Sequence, residues 1–175
     1  HTWSRARSSS NDINFRSWAE GISTALDTIG MVLADSSTYA SPWSTIIPGY
    51  TNTNNTEWAW EVWEFPASAE QTAQPIFVRV GYGINNSGDP GLTLEFAADA
   101  GTGGVVTGFA GTSEVSVTLT TNNTTSACTS WASCDDHGFA LVLCIDSATT
   151  DLREWIVVDR HRDTDGSPLT TGFAL

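Results

Sequence analysis

Residues 58–65, WAWEVWEF, place three tryptophans and a phenylalanine in eight positions and open a series of segments in which apolar residues return every second place. A period of two marks a strand, because successive side chains on extended backbone point to opposite faces. Trp58, Trp60 and Val62 fall on one side of this strand, and Ala59, Glu61 and Trp63 on the other. Both sides are partly apolar, so the strand is expected to be covered on both faces. Alternation returns at Ile76, Val78, Val80 and Tyr82, at Leu92, Leu94 and Phe96, and at Val115, Val117 and Leu119. It continues at Phe139, Leu141, Leu143 and Ile145 and over 155–159. The clusters INNSGDPG, DAGTGG, TTNNTTS and RDTDGS separate these runs with turn-forming residues.

One helix is predicted ahead of the strands, over 11–31. Asn11 or Asp12 supplies a cap. Phe15, Trp18, Ile22, Leu26 and Ile29 recur at spacings of three and four, and Gly30 is a natural stop. From Asp35 no period persists, and Pro42 and Pro48 mark a loop. Residues 1–10 are polar, carry Arg5 and Arg7, and read as a flexible arm that orders on a neighbouring subunit. They contain no apolar segment of the kind a signal peptide needs. The expected fold is mainly β: an antiparallel β-sandwich, jelly-roll-like, with one N-terminal amphipathic helix, forming a single domain over 11–175.

Charge narrows the partners. Of 175 residues, 20 are acidic and 7 basic, all seven arginine, for a net charge of −13. Phosphate contacts need clustered positive charge, so neither nucleic acid nor an anionic membrane is an expected partner. No apolar run approaches the roughly 20 residues that cross a bilayer. An acidic, lysine-free chain suits a halophilic host, where salt screens self-repulsion, and a GC-rich genome is the other explanation.

The candidate chemistry is sparse. Three cysteines make no disulfide framework. Cys128 and Cys134 lie in a Ser/Thr/Asn-rich loop and are candidates to pair, whereas Cys144 reads as a small buried hydrophobe. With no CxxC pair, zinc is not expected. His1 suggests a copper brace completed by His137 or His161, as in lytic polysaccharide monooxygenases. Asp163, Asp165 and Gly166 match D-x-D-G of a calcium loop, but no distal glutamate follows, and a hairpin turn is the simpler reading. Asp135, Asp136 and His137 offer a general base, with a solvated turn as the simpler reading and no G-x-S-x-G nucleophile motif. Sequons at Asn54, Asn85, Asn122 and Asn123 lie in expected loops. The expectation is a non-enzymatic chain without a cofactor, in which Asp163 and Asp165 are candidate metal ligands. Trp63, on the face opposite Trp58 and Trp60, is expected to anchor a partner together with Arg5 and Arg7. Eight tryptophans on a sandwich also fit a carbohydrate-binding module directed at a host-surface glycan.

The order of motifs resembles a group of virion structural proteins of tailed phages and viruses. In that group an FRxW helix leads into a W/Y-E-I/V-W-x-F strand, an Ala/Gln segment and P-x-F-x-x-x-x-Y-G. The matching residues are Phe15-Arg16-Ser17-Trp18, Trp60-Glu61-Val62-Trp63-Glu64-Phe65, and Gln71 through Pro75-Ile76-Phe77 to Tyr82-Gly83. Pro90-Gly91-Leu92 and the Gly-rich turn at 101–104 follow, and 159–166 resembles the group's E-R-x-x-D-x-x-G turn, with Asp159 in place of the usual glutamate. The resemblance implies a particle component, on the head (decoration, turret or fibre) or the tail or baseplate. It implies assembly in the host cytoplasm, contacts with copies of itself and other virion proteins, and no active site.

Overall fold

The computed structural model describes residues 2–5, 11–38, 40, 56–84, 90–107, 115–120, 127–135, 138–146, 152–162 and 168–174. In chain order the elements are β1 (Thr2–Arg5), α1 (Asn11–Thr28), β2 (Val32–Ser36), β3 (Thr56–Glu64), α2 (Ala69–Ala73), β4 (Phe77–Ile84) and β5 (Pro90–Ala97). There follow β6 (Asp99–Ala100), β7 (Val106–Thr107), β8 (Val115–Thr120), β9 (Ala127–Cys134), β10 (Gly138–Asp146), β11 (Leu152–Arg162) and β12 (Pro168–Ala174).

The protein is mainly β, as expected. Sheet A has the strand order β1-β9-β10-β11-β12, sheet B the order β2-β3-β4-β5-β8, and β6 and β7 form a separate hairpin; neighbours pair antiparallel. The inner faces of the two sheets share one core. Val78, Val80, Tyr82, Leu92, Leu94 and Phe96 come from sheet B, and Ala132, Phe139, Leu141, Ile156 and Val158 from sheet A. Phe139 meets both Phe65 and Phe96, with ring centroids 6.3 and 6.0 Å away in tilted contacts. Apart from β1, each sheet is a meander of strands in chain order, so the described strands lack the Greek-key crossings of a jelly roll.

The helix is shorter than its apolar stripe. Its C-terminus is a Schellman motif: Gly30, at φ +92, donates to the Asp27 carbonyl, and Met31 donates to that of Leu26. Leu26 and Met31 are both buried in the shared core with Ala19 and Ile22, so the cap also turns the chain into β2. Ile29 packs partly buried beside them. The Phe15 and Trp18 side chains lie outside the described residues.

Several expectations are corrected. The arm is not free over its whole length: Thr2–Arg5 is an edge strand whose Thr2 and Arg5 pair with Trp131 and Cys128 of β9. The Ser/Thr/Asn-rich stretch around Cys128 is strand β9, not loop. Cys128 and Cys134 are six residues apart on it, hence separated by about 20 Å, far beyond a disulfide's Cα reach of roughly 7 Å. The Cys134 Sγ–H donates to the Asp135 carbonyl at 3.6 Å. The 168–174 stretch is β12 and pairs with β11 of its own sheet.

The largest correction concerns WAWEVWEF. The β3–β4 register slips between Glu57 and Ala59, which makes Trp58 the extra residue of a β-bulge. Beyond the slip Trp63, expected to face a partner, points inward instead, because a one-residue shift exchanges the faces relative to Trp58. Ala59, Trp63 and Phe65 enter the main core together with Trp58. Trp60 and Val62 turn to the outer face of sheet B, where they meet Ala97 and Val106.

The β6–β7 hairpin covers that outer face. Gly103 and Gly104, at φ +73 and +74, shape its turn, and Gly104 lies so close to the Trp60 ring that a Cβ there would stand 2.6 Å from it. The Asp35 carboxylate accepts from both glycine N–H groups, at 2.9 and 3.1 Å. Arg79 binds the Gly104 carbonyl at 2.9 Å, holds Glu57 with both guanidinium arms, and lies 5.8 Å from the Trp60 ring centroid. Helix α2 is pinned in the same economical way. Ser68 caps it by accepting from the Gln71 N–H, and the buried Gln71 amide both donates to and accepts from the backbone of Ile76.

Candidate functional site

Two groupings of side chains stand out, one buried and one exposed. The buried one centres on Glu61, fully enclosed in the middle of β3. Its Oε1 accepts from the Ser23 hydroxyl of α1 at 2.8 Å. Its Oε2 accepts from the Tyr82 hydroxyl of β4 at 2.8 Å and from Trp63 Nε1 at 3.1 Å. Burial pushes the Glu61 carboxyl above its ordinary value, opposed by hydrogen bonds from Ser23, Tyr82 and Trp63. Burial, then the Glu61 charge, raises the Tyr82 hydroxyl well above its ordinary value. An acid and a phenol in contact have the makings of a proton relay. Here both are sealed from solvent, so their evident work is to fasten helix α1 to sheet B.

The exposed grouping is the outer face of sheet A. Trp131 of β9 pairs with Val142 of β10, which pairs with Trp155 of β11, so the three form one row across the middle of the sheet. Trp131 is 42% exposed and Trp155 67%, with Val157 at 47% two residues along β11. The two tryptophans stand two strand spacings apart, about 9.5 Å. Between this row and the β9–β10 hairpin lies a shallow open depression of about 280 Å³, with Ser133, Asp135, Gly138, Ala140 and Val157 in its lining. Asp135 closes the hairpin: its N–H donates to the Gly138 carbonyl and its Oδ1 accepts from the Gly138 N–H. That carboxylate is used as a turn staple, and Asp136 and His137 lie outside the described residues. No described element covers the face.

The residues singled out from sequence are dispersed. Trp63 is not an outward anchor: it is 3% exposed and its indole N–H is committed to Glu61. The bulge at Trp58 is the physical reason, since it reverses the side on which Trp63 emerges. Arg5 is placed in β1 opposite Cys128, while Arg7, Asp163 and Asp165 lie outside the described residues. So do His1 and His137; His161 belongs to β11, between the register positions Arg160 and Arg162 where the ladder to β12 shifts. Among the described residues no three His, Cys, Asp or Glu side chains are grouped to hold a metal ion. Sequence reasoning missed Trp131 and Trp155 as surface residues. The signal was present: Trp131 alternates in step with Ser133, and Trp155 with Val157 and Asp159, opposite the inward Ala132, Ile156 and Val158.

Compared with protein-family models, curated proteins and solved structures, the chain matches none.

Proposed function

We propose that the chain is a non-enzymatic structural component of a tailed virus particle, held in place through the outer face of sheet A. The observation that carries this reading is the row Trp131–Val142–Trp155, with both tryptophans exposed, on a chain of net charge −13. An aromatic face without charged residues at its centre has the composition of a protein interface core. The motif resemblance supports the same reading. Its central segment, 60–65, contains the buried Glu61 and Trp63, and its Gly-rich turn at 101–104 is the lid over Trp60. These are positions on which the fold depends. The acidic balance adds a halophilic host, and assembly with other virion proteins in the host cytoplasm follows from the particle role. Mass spectrometry of purified particles tests the reading: the chain is expected at many copies per particle, and its absence would refute the role.

A second reading is favoured by one observation. Two exposed indoles about 9.5 Å apart on a flat face also suit stacking against successive rings of a saccharide, as in a carbohydrate-binding module. Tryptophan fluorescence that shifts with a neutral glycan, and loses that response in Trp155→Ala, would favour it.

A further inference from the structure

Resting on the particle role, we infer that the occupant of the outer face of sheet A is a second copy of this chain, stacked face to face about a two-fold axis. Three arguments select this partner.

The first is electrostatic. A chain with 20 acidic and 7 basic residues repels its own copies over most of its surface. Two copies approach closely only through a face that carries little charge. Trp131, Ser133, Ala140, Val142, Trp155 and Val157 occupy the middle of this face, and none is ionisable; Asp135, engaged with Gly138, and the register position of Asp159 lie at its hairpin end, and that of Arg153 lies at the opposite end. A foreign partner chosen for attraction to an acidic protein would be met by carboxylates, and these are what the centre of the face lacks.

The second is symmetry. The row Trp131–Val142–Trp155 has its smallest member in the middle. A two-fold axis across the strands, between the stacked sheets and along this row, sets Trp131, Val142 and Trp155 each against its own counterpart in the second copy, and brings the Asp135 and Asp159 end of one copy over the Arg153 end of the other. An isologous contact requires such self-complementarity.

The third is area. The three central strands run 8, 9 and 11 residues, and sheet A has five strands. At about 4.8 Å between strands and about 3.4 Å per residue, the face measures roughly 24 by 27 Å, or about 650 Å². Two such faces bury about 1,300 Å², within the range of stable specific interfaces.

The test is sedimentation velocity on the full chain from about 1 to about 100 μM, at about 0.1 M and about 1 M NaCl. A dimer is expected that tightens in high salt, because screening removes repulsion while the apolar contact persists. Trp155→Glu and Trp131→Glu are each expected to weaken it at least about 30-fold, with thermal unfolding of the separated chains confirming that they fold. Trp155→Ala, which adds no charge, is expected to weaken it to a smaller degree and serves if a glutamate variant fails to fold. A folded chain that stays monomeric at every concentration and salt overturns the inference. So does a dimer indifferent to all three substitutions, or a monomer whose tryptophan emission responds to a neutral glycan. Detection in particles alongside monomeric behaviour overturns this inference alone. A salt-tightened, tryptophan-dependent dimer upholds it, even if the chain is absent from particles and the particle role falls.

Discussion

Replacing Glu61 separates the two forces acting on the buried carboxyl. In Glu61→Ala, three donors lose their acceptor: Ser23 Oγ, Tyr82 Oη and Trp63 Nε1. The two hydroxyls can rotate toward other acceptors, but the indole N–H cannot. An orphaned buried donor costs about 1–3 kcal/mol, and the emptied volume adds a cavity penalty, so a loss of about 3–5 kcal/mol is expected. Glu61→Gln keeps shape and neutrality. Its amide oxygen, set where Oε2 lies, accepts from Tyr82 and Trp63, and its NH₂ donates to Ser23 Oγ. At acid pH its stability should fall within about 1 kcal/mol of the parent.

The pH dependence then follows with a definite sign. Burial raises the Glu61 carboxyl above its ordinary value of 4.5, so the folded chain favours the protonated form. The associated stability is complete below 4.5 and is lost as pH rises through the folded titration. Each pH unit between the unfolded and folded titrations removes about 1.4 kcal/mol. Glu61→Gln cannot titrate there, so it should overtake the parent as pH rises, and the difference should then level off. Urea unfolding of both proteins from about pH 4 to about pH 9 measures this, and subtraction cancels the other carboxylates. Tyr82, raised well above 10.0, stays a donor throughout. A parent that gains on Glu61→Gln with rising pH would refute the reasoning, because it would mean that the three hydrogen bonds outweigh burial.

Three further outcomes are expected. Gly104→Ala combines φ +74 with a Cβ 2.6 Å from the Trp60 ring and should lose about 3 kcal/mol in denaturant unfolding. Gly103→Ala, at φ +73 with open space around it, should lose only about 1–2. Trp63→Ala should lose about 3–5 kcal/mol in a thermal or urea melt, whereas Trp155→Ala, largely in solvent, should change the stability of the isolated chain by less than about 1. Intact-mass analysis under non-reducing conditions should find no Cys128–Cys134 bridge, since strand β9 holds the two residues at opposite ends.

The strands with uninterrupted alternation were legible because two-period hydrophobicity reports the inner face directly: β4, β5 and β10 place Val78, Val80, Leu92, Leu94, Phe139 and Leu141 inward as read. β2 and β9 escaped because their inward positions are short or polar-flanked, as in ADS and TSWASC, and pairing supplies what propensity does not. The β6–β7 hairpin carries only a turn signal in sequence because each of its strands has two residues. The faces of β3 were illegible for a sharper reason: a bulge leaves no mark in composition, and it inverts every later inference about which tryptophan is buried. The role of Glu61 was illegible because its three donors come from positions 23, 63 and 82, which only folding brings together.

The treatment of Trp60 bears on the surface reading. On sheet B an aromatic that would otherwise face water lies under a dedicated hairpin, secured by two left-handed glycines, an Asp35 bridge and an arginine neutralised by Glu57 and Glu95. That is a large expenditure of sequence for one ring. On sheet A two rings face outward, and no described element is built over them. Exposed aromatics on a strand raise the danger of unwanted association, and the chain's high negative charge limits that danger everywhere except on this face. The fold therefore separates stability from contact. Sheet B, closed on both sides around Glu61 and Trp60, keeps its shape without help. Sheet A, covered on one face by the described elements, presents apolar surface on the other.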